Sequence, residues 1–166
     1  MNRKAERLLK ALDSLPRGSV VVEIGCVRET HEVPTDGWST FHLAHRAADK
    51  GWDFHSVDID PEAVARARRV TRAEVHLADG RKWLLDFAPE IDGLYLDGSG
   101  SPREAAAQYR AATLSDRAVV VVDDVQSFDG NEQGKGSEVL DVLEADGFSV
   151  RIFGTEPGYL MAVAKR

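Results

Sequence analysis

Six acidic residues are spaced along the chain so that each falls where a run of β-forming residues stops. Glu23 lies in Val20-Val21-Val22-Glu23-Ile24-Gly25, Asp58 ends the run 54–58, and Asp79 follows Val75-His76-Leu77-Ala78. Asp97 ends Leu94-Tyr95-Leu96-Asp97, and Asp123-Asp124 follow the valine-rich run 119–122. In an open parallel sheet ligands bind outside the carboxyl ends of the strands, so these carboxylates are expected to converge on one crevice. Carboxylates gathered in this way accept hydrogen bonds from hydroxyl and amino groups, or share a hard divalent cation.

The elements that must position them follow from periodicity. Short apolar runs near 19–24, 53–58, 73–78, 91–97 and 117–123 alternate with helix-period segments, the pattern of a parallel sheet with helices on both faces. Asp60-Pro61 predicts a helix start with Pro in the first turn, and Ser101-Pro102-Arg103-Glu104 predicts a capping box. Gly51 and Gly147 stand where helices should stop. The runs 148–153 and 159–164 are joined by only Gly154-Thr155-Glu156-Pro157-Gly158. That link is too short for a crossover helix, so the last two strands must pair antiparallel.

The 166 residues, 43% of them hydrophobic, suit a single domain spanning 1–166. Leu8, Leu9, Leu12 and Leu15 give segment 1–17 an apolar stripe, which predicts a docking first helix despite Arg3, Lys4, Arg7 and Lys10. A net charge of −7 opposes binding to phosphate backbones, so no nucleic-acid partner is expected. No apolar run reaches the ~20 residues that span a bilayer, and no hydrophobic signal core follows Met1. With Cys26 as the only cysteine, the expectation is a cytoplasmic protein with no membrane partner.

The first strand ends in Glu-x-Gly, whereas a dinucleotide fingerprint needs G-x-G-x-x-G; only Gly25 is in place. A carboxylate there repels a pyrophosphate and favours a cofactor with a positive centre. Together with Gly37-Trp38-Ser39-Thr40, Val57-Asp58-Ile59-Asp60-Pro61 and Ala78-Asp79-Gly80, these residues resemble the class I S-adenosylmethionine-dependent methyltransferases. Among them the chain is similar to the metal-dependent O-methyltransferases related to catechol O-methyltransferase and to bacterial sugar O-methyltransferases. The resemblance implies a Rossmann-like α/β methyltransferase fold: a seven-stranded, mostly parallel sheet with an antiparallel C-terminal hairpin and helices on both faces.

It also implies roles. Glu23, Gly25 and Ser39 would meet the methionine part of S-adenosylmethionine, Asp58 the ribose hydroxyls, Ile59 the adenine face and Asp79 the adenine amine. Asp97, Asp123 and Asp124 would hold Mg²⁺, whose charge relieves their mutual repulsion. The acceptor would be a small hydroxylated molecule, with a sugar-bearing metabolite favoured by the low aromatic content of 7%.

Two departures accompany the likeness. Residues 26–36 separate the halves of the first motif where the family has a shorter link, and bring Arg28, Glu29, His31 and Glu32 beside the cofactor. The catechol enzymes place a Lys three residues after the first metal ligand, where this chain has Gly100. His31 and then Lys135 are the candidate bases. His55 and His76, alternating with apolar strand residues, read as structural, and Trp38 and Trp83 as core anchors or walls of the crevice. The competing readings are a metal-independent methyltransferase acting on another nucleophile and a non-catalytic cofactor-binding or assembly protein. Homo-oligomerisation would supply a missing substrate wall.

Overall fold

The computed structural model describes residues 3–27, 38–125, 134–156 and 159–166. The strands are β1 (Val20–Ile24), β2 (Asp53–Asp58), β3 (Glu74–Leu77), β4 (Ile91–Leu96), β5 (Leu114–Val122), β6 (Ser149–Glu156) and β7 (Tyr159–Lys165). The helices are α1 (Arg3–Leu12), α2 (Ser39–Lys50), α3 (Pro61–Val70), α4 (Gly80–Asp86), α5 (Pro102–Ala111) and α6 (Ser137–Ala145). All seven strands form one sheet in the order β3-β2-β1-β4-β5-β7-β6. The first five are parallel, and β7 lies antiparallel between β5 and β6. The terminal hairpin and the mostly parallel sheet agree with the sequence reading.

Helix boundaries follow the expected chemistry. The Asp60 side chain accepts from the Glu62 amide at 2.9 Å, with Pro61 opening α3. Gly51 ends α2 at φ +68, a left-handed conformation that favours glycine. Ser101 caps α5 by accepting from Glu104 N at 3.2 Å, but the return arm differs from an ordinary capping box: the Glu104 carboxylate accepts from Gly100 N at 2.8 Å.

Pleating then decides what faces the site. Side chains alternate between faces along a strand. Val22, Ile24, Leu94, Leu96, Val120 and Val122 pack with residues of α4, α5 and α6. Val21, Phe54, Tyr95, Val119 and Val121 pack on the other face with Leu8 and Leu12 of α1 and Leu43 of α2. Glu23 shares the alternation of Val21, Asp58 that of Phe54, and Asp97 and Asp123 those of Tyr95 and Val121. The carboxylates therefore emerge on the α1/α2 face at the carboxyl edge. Leu8, Leu9 and Leu12 of α1 are buried. None of the helices among the described residues is long and apolar enough to cross a membrane.

Candidate active site

At the end of β1 the Glu23 side chain is fully buried. Its Oε2 accepts from Ser56 Oγ at 2.6 Å, a contact set by the parallel register that places Glu23 opposite Ser56. Oε1 has no hydrogen-bond partner. Burial pushes the Glu23 carboxyl up to about 7, with the Ser39, Ser56 and Thr40 hydroxyls opposing the shift and Asp97 adding to it. A group poised at neutral pH ionises fully when a positive charge arrives beside it.

Gly25 has φ +103, and a Cβ there would lie 2.6 Å from Gly98 N. Reciprocally, a Cβ on Gly98 would lie 2.7 Å from Gly25 N. Two glycines meeting back to back let the ends of β1 and β4 touch, so Gly25 is required by its neighbouring strand whatever it does for a ligand. Asp58, buried at the end of β2, accepts from Cys26 N at 2.8 Å through Oδ2 and from Asp60 N at 2.9 Å through Oδ1. Both oxygens are thus fixed, and each retains a lone pair for a further donor. Ile59 beside it is 68% exposed, an apolar side chain left uncovered at the edge. Asp79 caps α4, its Oδ1 accepting from Lys82 N at 2.9 Å. Ser39, the first residue of α2, is buried close to Glu23.

Asp97, Asp123 and Asp124 come together after β4 and β5, with one carboxylate oxygen from each lying within 4.8 Å of the others. Asp124 adopts φ +49, an uncommon conformation for a residue other than glycine. Asp123 is 1% exposed, and its Oδ1 has no hydrogen-bond partner. Two lysines answer this charge. Lys4 of α1 forms an ion pair with Asp123 Oδ2 and lies 3.4 Å from Asp97 Oδ2. Lys135 Nζ lies 3.0 Å from Asp97 Oδ1 and 3.1 Å from Asp124 Oδ2, and donates to the Asp97 carbonyl at 2.8 Å. The buried Tyr95 hydroxyl donates to Asp97 Oδ2 at 3.2 Å.

Burial alone would raise Asp97, but Lys4 and Lys135 outweigh it and hold the carboxyl below its ordinary range. Asp123 moves the opposite way, raised by burial and by the neighbouring Asp97 against the pull of Lys4. Burial would lower Lys135, yet Asp97 and Asp124 raise it, so it is an ammonium group here rather than a free base. Its position depends on Gly136, where a Cβ would lie 2.5 Å from Val122 Cγ1 and 2.7 Å from the Asp123 carbonyl oxygen.

The site therefore gathers Glu23, Gly25, Ser39, Asp58, Ile59, Asp97, Asp123, Asp124 and Lys135 at one edge, with Asp79 at the turn after β3. His31 and residues 28–36 of the insertion 26–36 lie outside the described residues. Trp83 stands apart from the crevice, stacked on Phe87 at 4.4 Å under the opposite face. Trp38 is half-buried at the start of α2. Lys4 was not singled out from sequence, although it lies four residues before Leu8 on the same buried stripe.

A family described as "Methyltransferase domain" matches residues 35–125, more than half of the chain. The chain belongs to this methyltransferase family. It is accordingly a S-adenosylmethionine-dependent methyltransferase. No curated protein matches it in sequence. Among solved structures, the fold is similar to that of the O-methyltransferase TomG from Streptomyces achromogenes in complex with SAM, with a TM-score of 0.68 and 18% identity. That match covers 98% of this chain and 78% of the other. An O-methyltransferase from Bacillus cereus in complex with SAH aligns at TM-score 0.65 and 15% identity, covering 99% and 80%. A precorrin-6y C5,15-methyltransferase from Geobacter metallireducens aligns at 0.68 and 16%, covering 98% and 87%.

Proposed function

We propose that this methyltransferase acts on a hydroxyl group of a small polyhydroxylated molecule, assisted by Mg²⁺. The observation that carries the reading is the convergence of the Asp97, Asp123 and Asp124 oxygens beside the Glu23–Asp58 edge. The donor set suits a hard cation: three carboxylates, with an unpartnered buried oxygen on Asp123. When bound, such a cation lowers the pKa of a coordinated hydroxyl and positions it.

The chain's own residues divide the remaining work. Asp58, clamped by two backbone amides, offers its free lone pairs to the paired hydroxyls of the cofactor ribose, and Ile59 covers the adenine. Glu23 sits where the methionine end of the cofactor would lie, and its buried carboxylate is stabilised by positive charge. Ser39 adds a hydroxyl to the same end, and Asp79 an acceptor for the adenine amine. Lys135, held at Asp97 and Asp124, is placed to donate to an acceptor oxygen. His31 remains the candidate base. Fixing these groups on strand ends before binding limits the entropy lost in aligning the reactants.

A second reading, a metal-independent methyltransferase, is favoured by one observation: Lys4 and Lys135 already neutralise most of the charge of the three aspartates. Methyl transfer to a panel of polyols, catechols and sugars, followed by mass spectrometry with Mg²⁺ or with chelator, separates the two. Turnover abolished by chelator and restored by Mg²⁺ supports the first. Turnover unaffected by chelator and by Asp124→Asn refutes it and leaves the second.

A further inference from the structure

On the opposite face of the sheet, away from the carboxyl edge, β2 and β3 carry a second group of potential ligands. His55 lies opposite Glu74 in the parallel register and Val57 opposite His76, so His55, Glu74 and His76 project from one face. His55 Nδ1 is 3.2 Å from His76 Nε2 and 3.5 Å from a Glu74 carboxylate oxygen, which is 3.9 Å from His76 Nε2. We propose that His55, Glu74 and His76 form a binding site for a borderline-soft divalent cation of the Zn²⁺ class.

The argument is first one of distances. Ligands about 2.0–2.1 Å from a tetrahedral ion are separated from each other by about 3.3 Å. The observed triangle of 3.2, 3.5 and 3.9 Å is that of one face of such a tetrahedron, with its longest edges on the Glu74 side. Glu74 is the exposed and adjustable member, and His55 the buried one. The exposed Glu74 side also provides an entry path from solvent.

Chemistry and surroundings agree with the distances. Two imidazoles and a carboxylate select Zn²⁺, Co²⁺ or Ni²⁺ over Mg²⁺, in contrast to the all-oxygen group at the carboxyl edge. His55 Nε2 faces an Asp53 carboxylate oxygen at 3.3 Å. A carboxylate there favours the proton on Nε2 and leaves the Nδ1 lone pair directed at the cluster.

Trp83 and Phe87 form a stacked aromatic wall, with Trp83 5.0 Å from the His76 ring and Phe87 5.0 Å from the His55 ring. They exclude water from one side. Arg68 donates to the Val75 carbonyl at 2.7 Å and fixes the strand between the two β3 ligands. Binding would tie the edge strand β3 to β2.

The test uses the untagged full chain, stripped with chelator and dialysed. It is titrated with Co²⁺ read by visible absorption and with Zn²⁺ by calorimetry. One equivalent giving the intense bands of tetrahedral Co²⁺ is expected. His76→Ala should weaken Zn²⁺ binding at least about 100-fold, and Asp53→Asn about 10-fold. Both positions are partly or largely exposed, and circular dichroism checks that each variant remains folded. Asp124→Asn should leave the Co²⁺ spectrum unchanged. Absence of the tetrahedral bands overturns the proposal. So does binding that survives His76→Ala together with Glu74→Ala, or that is lost in Asp124→Asn instead.

Discussion

Replacing Glu23 by Gln should make the protein more stable in alkaline solution while impairing its use of cofactor. Burial raises this carboxyl from 4.5 to about 7 in the folded chain. Below pH 4.5 the group is protonated in both folded and unfolded states and carries no charge penalty. As pH rises from 4.5 to 7 the unfolded chain ionises while the folded one resists, so stability falls; above 7 both are ionised and the loss levels off. At about 1.4 kcal/mol for each tenfold step, the full loss is about 3 kcal/mol. Glutamine keeps an acceptor for Ser56 Oγ and never ionises, so it escapes this loss. Urea unfolding of wild type and Glu23→Gln at pH 5, 6, 7 and 8 isolates the effect, because titrations common to both proteins cancel in the difference. Relative to the variant, the wild type should lose about 2–3 kcal/mol between pH 5 and 8. A difference that stays flat across this range refutes the reasoning. The same carboxyl predicts that S-adenosylmethionine binding at pH 7 releases about half a proton from Glu23, seen as a buffer-dependent calorimetric enthalpy that disappears in Glu23→Gln.

Asp58→Ala removes the carboxylate proposed above to accept from the paired ribose hydroxyls and also frees the Cys26 and Asp60 amides. Cofactor affinity by calorimetry should fall at least about 100-fold, equivalent to about 3 kcal/mol, and a variant that binds within threefold of wild type contradicts the assignment. Asp92, buried at the amino end of β4, accepts from Val20 N at 3.0 Å, Ser115 Oγ at 2.7 Å and Arg117 Nε at 2.8 Å. It thereby fastens β1, β4 and β5 away from the site, and Asp92→Ala should cost about 1–3 kcal/mol in urea unfolding at pH 7 by leaving the buried Ser115 hydroxyl without its acceptor. Burial opposes ionisation of Asp92, but Arg117, Ser115 and the Val20 amide together hold it below its ordinary value. Its contribution is therefore present above the ordinary carboxylate value and lost as pH falls through the folded one, so the gap between wild type and Asp92→Ala should shrink in acid.

The strands, their parallel run and the terminal hairpin were legible because hydrophobic period and turn residues are local signals, whereas the order of the strands in the sheet was not. Asp60, Gly51 and the short 154–158 link each state a boundary within a few residues of sequence. The gathering of the carboxylates at the carboxyl edge was legible for a related reason, since each of them ends a parallel strand. What could not be read was pairing between distant segments. Lys4 and Asp123 are far apart in sequence, and only the docking of α1 across β5 brings the ammonium to the carboxylate. His55 and His76 look like isolated strand residues until the β2–β3 register sets their rings side by side. Asp79 illustrates a different limit: an Asp-Gly pair suits both a cofactor contact and a helix cap, and the structure shows the cap being made.

The carboxyl edge also explains how so much acidity is tolerated beside a hydrophobic core. Asp58 is held by backbone amides, and Glu23 can take up a proton near neutral pH. The triad of aspartates is answered by two ammonium groups carried on different elements. Lys4 rides on a helix that the sheet buries through Leu8 and Leu12, whereas Lys135 depends on the close passage of Gly136 over β5. The two lysines are therefore not equivalent. Lys4 is anchored by apolar packing, and only rearrangement of the first helix would remove it. Lys135 is carried on a short segment that passes closely over β5 at Gly136, so its hold on Asp97 and Asp124 is expected to be the more easily displaced of the two. Any positively charged group entering the triad competes with these ammoniums for the same oxygens, so acceptor or cation binding at this edge should be coupled to the position of residues 134–136.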